Sequence, residues 1–272
     1  MAELSRYELE QILAYRRLGY TYKDISGIYG ISRQNICNKL SRAFGKKREL
    51  KEVYFNESAE TELGEFIGFF MGDGHFEHTV GSAYKTSLYF GPEEKEYASY
   101  MSGISSKVFG KELRRWKTGL NYIHLVVCGK EIYEIIRRYV SYGENKTHTV
   151  KLADNPKNHS IKCLKGIIRG LIASDGTVNI PYKRISFSST SKELVYQTAE
   201  ALKIFDINSN IYYSNQKHYS TLYTLVISRR ENLIKFSEKI GLTEPLKCSK
   251  LTKALNSYKK SCRNISPSSL AA

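Results

Sequence analysis

The sequence predicts an α+β fold made by duplication. Two tandem units each read helix, two strands, helix, two strands, helix, and a small all-α segment precedes them. Three observations predict this. The run GEFIGFFMGDG (64–74) has a second version, GIIRGLIASDG (166–176), displaced by 102 residues. Later segments repeat at nearly the same spacing: SLYFGPEEKEYASYM (87–101) with ISFSSTSKELVYQTA (185–199), and HLVVCGKEIYEII (124–136) with TLVISRRENLIKF (224–236). Residues 1–50 stand outside the repeat and carry only helical periodicity. The boundaries that follow are 1–50 for the N-terminal domain, 51–152 for the first repeat and 153–272 for the second, which ends in a basic tail. ADNPKN (153–158) is a short polar link between the copies.

At the N-terminus, Ser5-Arg6-Tyr7-Glu8 has the spacing of a capping box, so a helix starts at Arg6 and buries Leu9, Ile12 and Leu13. In TYKDISGIYGISRQNICNKLSRAF (21–44), Ile25 and the small Ser26 precede a turn at Gly30. Ile31, Ile36 and Leu40 then share one helical face, and Ser32 is placed to cap that helix. This stretch resembles the helix-turn-helix of sequence-specific DNA-binding proteins. The resemblance implies that the second helix shows Arg33, Gln34, Asn35 and Asn38 to base edges, side chains suited to guanine and adenine. Lys39 departs from that pattern, where an apolar residue is usual. A small three-helix packing module is the alternative. GKKRELKE (45–52) reads as a charged linker.

Within the repeats, Gly64, Gly68 and Gly72 fall on Gly166, Gly170 and Ser174. Small residues therefore recur at every fourth position and form one flat stripe on each helix. Apolar residues cover much of the rest: Phe66, Ile67, Phe69 and Phe70 in one copy, Ile167, Ile168, Leu171 and Ile172 in the other. Two such stripes can pack backbone against backbone. Their ends then meet, and Asp73 lies beside Asp175. Asp-Gly is also ordinary turn chemistry, but two like charges at close range call for a cation between them. Oxygen ligands at the negative ends of two helix dipoles select a hard metal, Mg²⁺ first and Mn²⁺ second. A carboxylate pair holding such a metal suits phosphodiester hydrolysis.

The two copies resemble the LAGLIDADG motif of homing endonucleases, over about residues 56 to 256. The resemblance implies a duplicated αββαββα saddle in one chain, with two antiparallel sheets lying along the major groove of double-stranded DNA. It implies metal-dependent double-strand cleavage, with each aspartate serving one strand and the main-chain carbonyls of Gly72 and Ser174 assisting the metal. A basic residue near each scissile phosphate is expected from the loop before the last helix of each copy, and Lys146 and Lys247 occupy that place. A solvated surface lysine is the alternative for each. Ser174 departs from the family's usual Gly or Asp. Alternating β-branched and aromatic residues place Tyr122–Val127 and Thr221–Ile227 in sheets. Arg114, Arg115, Lys117, Lys183, Arg184, Arg229 and Arg230 lie in or beside strands as DNA contacts.

Composition agrees with a nucleic-acid partner. The 272 residues hold 42 Lys and Arg against 27 Asp and Glu, a net charge of +15. That excess favours a polyanion, with nucleic acid ahead of an acidic membrane surface. Five scattered cysteines, never spaced as C-x-x-C, argue against a disulfide framework or a zinc site and for a reducing compartment. The charged N-terminus is not a signal peptide, and no uncharged run reaches the length of a membrane span, so a cytoplasmic location without membrane association is expected. The function expected is a monomeric site-specific DNA endonuclease. The alternatives are a non-catalytic DNA-binding regulator on the same scaffold, or a maturase that binds intron RNA.

Overall fold

The computed structural model describes residues 4–17, 20–43, 56–77, 84–115, 122–215 and 220–263. They form two compact units, 1–52 and 53–272. Trp116, Lys117 and the linker at 45–52 lie outside the described residues.

The first unit has three helices, α1 (Arg6–Arg17), α2 (Tyr22–Tyr29) and α3 (Arg33–Ala43). Each begins where the local chemistry satisfies its free N–H groups. At α1 the Ser5 N–H donates to Glu8 at 2.7 Å, and the Glu8 N–H donates to Ser5 Oγ at 3.3 Å. Thr21 and Asp24 form the same reciprocal box at α2. Ser32 Oγ accepts from the Asn35 N–H at α3. Gly30 ends α2 at φ +61°, which favours glycine, and Ser26 Oγ closes the turn onto the Ile31 carbonyl at 2.6 Å. Leu9, Ile12, Ile25, Ile36 and Leu40 make the core of this unit. Leu13 packs on its edge and is only partly buried.

The second unit begins with α4 (Glu60–Asp73), followed by β1 (Gly74–Glu77), β2 (Lys85–Phe90), α5 (Lys95–Phe109), β3 (Arg114–Arg115), β4 (Ile123–Cys128) and α6 (Lys130–Tyr139). A small hairpin of β5 (Val140–Ser141) and β6 (Lys151–Leu152) encloses the one-turn helix α7 (Lys146–Thr149). The second copy is α8 (Ile161–Ser174), β7 (Gly176–Asn179), β8 (Arg184–Ser189), α9 (Lys192–Ile204), β9 (Asn210–Ser214), β10 (Leu222–Ile227) and α10 (Arg230–Lys235). A π-helical turn at Phe236–Ile240 extends α10, and α11 (Pro245–Arg263) closes the described chain.

Both copies build the same antiparallel sheet, in orders β1-β2-β4-β3 and β7-β8-β10-β9. Two of the inner strands start one residue later than the sequence implied: β4 at Ile123 rather than Tyr122, and β10 at Leu222 rather than Thr221. Alternation decides which face is buried. Leu88 pairs with Leu125 and Phe90 with Ile123 on the core side of the first sheet. Ile185, Phe187, Leu225 and Ile227 do the same in the second. One continuous apolar core joins α4 and α8 to both sheets.

Candidate active site at the paired helix ends

The contact between α4 and α8 is the most extensive between any two elements, and the stripes of small residues create it. A Cβ added at Gly64 would stand 2.9 Å from the Cys163 carbonyl carbon, and one at Gly68 would stand 3.0 Å from Ile167 Cα. Gly166 and Gly170 are equally tight against the backbone of Thr61, Glu65 and Phe69. At the last position Gly72 faces Ser174, and a Cβ on Gly72 would reach 2.6 Å from Ser174 Cβ and 2.7 Å from Asp175 Oδ2. Ser174 is accommodated because its partner has no side chain and its own hydroxyl turns back to the Gly170 and Leu171 carbonyls, at 3.1 and 3.2 Å.

Asp73 is the last residue of α4, and Asp175 caps α8. The helix packing therefore brings together the two carboxylates marked in the sequence. Burial pushes both carboxyls up, and at Asp73 the charge of Asp175 followed by that of Glu94 adds to it, bringing that carboxyl to about 6. Lys146 and Lys247 offset part of this.

Neither lysine lies in a loop before the last αββαββα helix, as the resemblance implied. Lys146 opens α7, and Lys247 sits in the first turn of α11, so both follow that helix. The local cause at Lys247 is Glu244, whose carboxylate accepts the N–H groups of Leu246 at 3.0 Å and Lys247 at 2.6 Å and so starts α11 early. Lys146 Nζ donates to the carbonyls of Phe70, Gly72 and Gly74 at 2.9, 3.0 and 2.7 Å. Lys247 Nζ donates to those of Ile172 and Ser174 at 3.0 and 3.3 Å, and also to Ala173. Each ammonium thus caps the C-terminal end of its own repeat's motif helix. Burial pulls Lys146 down to about 8, against the pull of Asp175 and Asp73. Lys247 is lowered by burial as well, against Glu94 first and then Glu244, Asp73 and Asp175.

The donor set fits a hard divalent cation. Two under-compensated carboxylates and the carbonyls of Gly72 and Ser174 are all oxygen, and Mg²⁺ is commonly bound through one or two carboxylates plus substrate phosphates. Among the described residues no cluster of three or more His, Cys, Asp and Glu side chains offers a metal site.

The remaining sequence candidates are spread over the sheets. Arg114 and Arg115 are exposed on β3. Arg184 begins β8 exposed, and its guanidinium lies 5.1 Å from the Tyr182 ring centre. Lys183 Nζ sits 4.4 Å over the Tyr258 ring, and Arg230 approaches the same ring at 5.9 Å. Arg229 stands beside β10, two residues past its end, at the N-cap position of α10. In the first unit Arg33, Gln34 and Asn38 are exposed and Asn35 half-buried, and Gln34 donates to Asn38 at 3.2 Å. His75 is exposed on β1, opposite Ser87.

Several polar residues escaped the sequence reading. Glu94, at the N-cap of α5, lies near enough to act on both Asp73 and Lys247. On the sheet face away from the core, Glu77 accepts from Lys85 at 2.7 Å and Ser87 at 3.0 Å, and Tyr89 stacks on His124 at 4.5 Å. The same face of the second sheet carries hydroxyls, with Ser188 and Thr224 2.9 Å apart. Strand alternation could have found these groups had the register been known.

Comparison with known proteins identifies the fold of this α+β duplication. Residues 162–241 match the family described as a LAGLIDADG-like domain. The chain superposes on the homing endonuclease I-DmoI, solved in complex with DNA and Ca, with a TM-score of 0.55 and 18% identity, covering 72% of this chain and 99% of that one. The chain therefore has the LAGLIDADG fold. It is also 24% identical, over 87% of its length, to a glutamine–fructose-6-phosphate aminotransferase of Methanocaldococcus jannaschii, but spans only 21% of that relative. An uncharacterized protein of the same organism is 24% identical over 96% of this chain and 98% of its own length.

Proposed function

We propose that the chain is a site-specific DNA endonuclease that makes metal-dependent double-strand breaks at a long, non-palindromic site and acts as a monomer. The observation that carries this is the convergence of Asp73 and Asp175, both with raised carboxyls, beside two half-buried lysines. Asp73, Asp175 and the carbonyls of Gly72 and Ser174 would hold Mg²⁺ or Mn²⁺, which when bound supplies charge compensation at a scissile phosphate. The lysines contribute in two ways. Their ammonium groups stabilise charge developing on the phosphate. Seated on three carbonyls, the Lys146 Nζ acts as an ammonium, and it also offsets part of the charge of Asp73 and Asp175.

The net charge of +15 and the polar outward sheet faces suit DNA. The solved complex of I-DmoI with DNA supports the same partner. The three-helix unit, with Arg33, Gln34 and Asn38 exposed on α3, would add a second DNA-binding surface. The matched sequence makes up nearly all of one relative and a fifth of an aminotransferase in another, which is the distribution of a transferable module. A DNA-binding regulator without catalysis would have no use for two carboxyls held above their ordinary range at one point. Asp73→Asn and Asp175→Asn should each slow double-strand cleavage by orders of magnitude while DNA affinity holds. Cleavage at the wild-type rate by the double variant would overturn the assignment.

A further inference from the structure

Glu65 is a carboxylate with no exposure at all, on the same helix as Asp73. Its oxygens accept three hydroxyl donors: Tyr97 at 3.0 Å, Tyr100 at 3.2 Å, and Thr243. Arg169, from the opposite motif helix, contributes a compensating charge. Burying a carboxylate is costly even when it is well bonded, and an apolar side chain would pack the same place without that cost. The corresponding position in the second motif helix, 102 residues later, is the buried Ile167. The carboxylate at 65 therefore answers a need that the second repeat does not share.

Thr243 belongs to the other repeat. It directly precedes Glu244, which caps the start of α11 and fixes the Lys247 backbone. Arg169 grips the same short segment two residues before Leu242, its Nε donating to the Ile240 carbonyl at 2.7 Å. The segment 240–244 is thus held from both motif helices. The equivalent segment around Lys146 is held differently. Thr149 bonds back to Gly143 and Asn145, and from the loop and helix at α9 Ser191 and Gln197 bond the backbone of Val150 and Leu152. No buried acid takes part there among the described residues.

We propose that Glu65 is a positioning residue for one half of the site: through Thr243 it fixes the helix start that carries Lys247, and it leaves the Lys146 half untouched. One motif helix then sets the geometry of the other repeat's lysine. The expected effect on cleavage rests on the nuclease reading; the effect on the 241–248 segment does not.

The test uses the full chain and three variants. Thr243→Val removes one hydroxyl from a partly buried place, Glu65→Leu removes the acceptor, and Glu65→Gln keeps an acceptor and serves as the rescue. Hydrogen exchange read by mass spectrometry should show the amides of residues 244 and 246–248 exchanging roughly tenfold or more faster in Thr243→Val and Glu65→Leu. Those of 146–150 should be unchanged, and Glu65→Gln should lie near wild type. On a supercoiled plasmid bearing a selected target, the same two variants should accumulate nicked circles cut on one strand only, with DNA affinity unaltered. Unchanged exchange at 244–248 overturns the inference, as does equal slowing of both strands. A wild-type protein that cuts no DNA would sink the nuclease reading alone, because the exchange result still decides what Glu65 holds.

Discussion

A carboxyl held like that of Asp73 works against folding. Its folded pKa, about 6, lies above the ordinary 3.8, so the folded chain binds the proton more tightly than the unfolded one. Stability is therefore lost as pH rises from about 4 to 6, and the penalty is complete above that window. Asp73→Asn should raise the stability of metal-free protein by about 1–3 kcal/mol at pH 7.5, with the gain shrinking to nothing near pH 4. Urea denaturation at both pH values reads this directly, and a destabilised variant at pH 7.5 would contradict it. The two aspartates were legible in the sequence because each ends an apolar helix beside a repeated small residue. Lys146 and Lys247 were legible only through the family resemblance, since nothing local separates them from surface lysines. Glu65 left a clear trace, the one acid in the otherwise apolar and small run from Leu63 to Gly72, but its meaning depended on Tyr97, Tyr100 and Thr243, the last 178 positions away. Glu94 left none, because its role comes from where β2 ends.

At the scale of elements, the α4–α8 contact depends on backbone approach, and a single methyl tests it. Gly68→Ala would drive a Cβ into the Ile167 backbone, which cannot move aside as a flexible side chain could. The loss should be at least about 2 kcal/mol in denaturant midpoint analysis. Gly103, within α5, has nothing within 4 Å of its hypothetical Cβ. Gly103→Ala should instead stabilise by about 0.5–1 kcal/mol. If the two variants behave alike, close packing is not what the stripe provides. Periodicity exposed these helices because four-residue spacing of small side chains is a long signal. It could not expose β5, β6 or α7, which are too short to show any period, nor the π-helical turn after α10, which continues a helical pattern without marking its change of pitch.

For the whole molecule, the two compact units divide the proposed work. Residues 1–50 carry ten Lys and Arg against five Asp and Glu. Removing them should weaken DNA binding, flatten its salt dependence by about one unit of slope for each phosphate no longer neutralised, and shorten the footprint at one end only. Cleavage by the remaining chain should persist at higher enzyme concentration, since Asp73 and Asp175 are intact. Footprinting with a salt titration of affinity checks all of this, and an unchanged slope would reduce α1–α3 to a packing module. A last consequence comes from the way Lys146 and Lys247 seat their ammonium groups on the carbonyls that end α4 and α8. The chain carries its own counter-ions for the helix ends and for part of the aspartate charge. On the nuclease reading proposed above, assembly of the core would then not depend on cation supply, and a newly made molecule in a magnesium-poor environment, or one treated with a chelator, would be folded but idle.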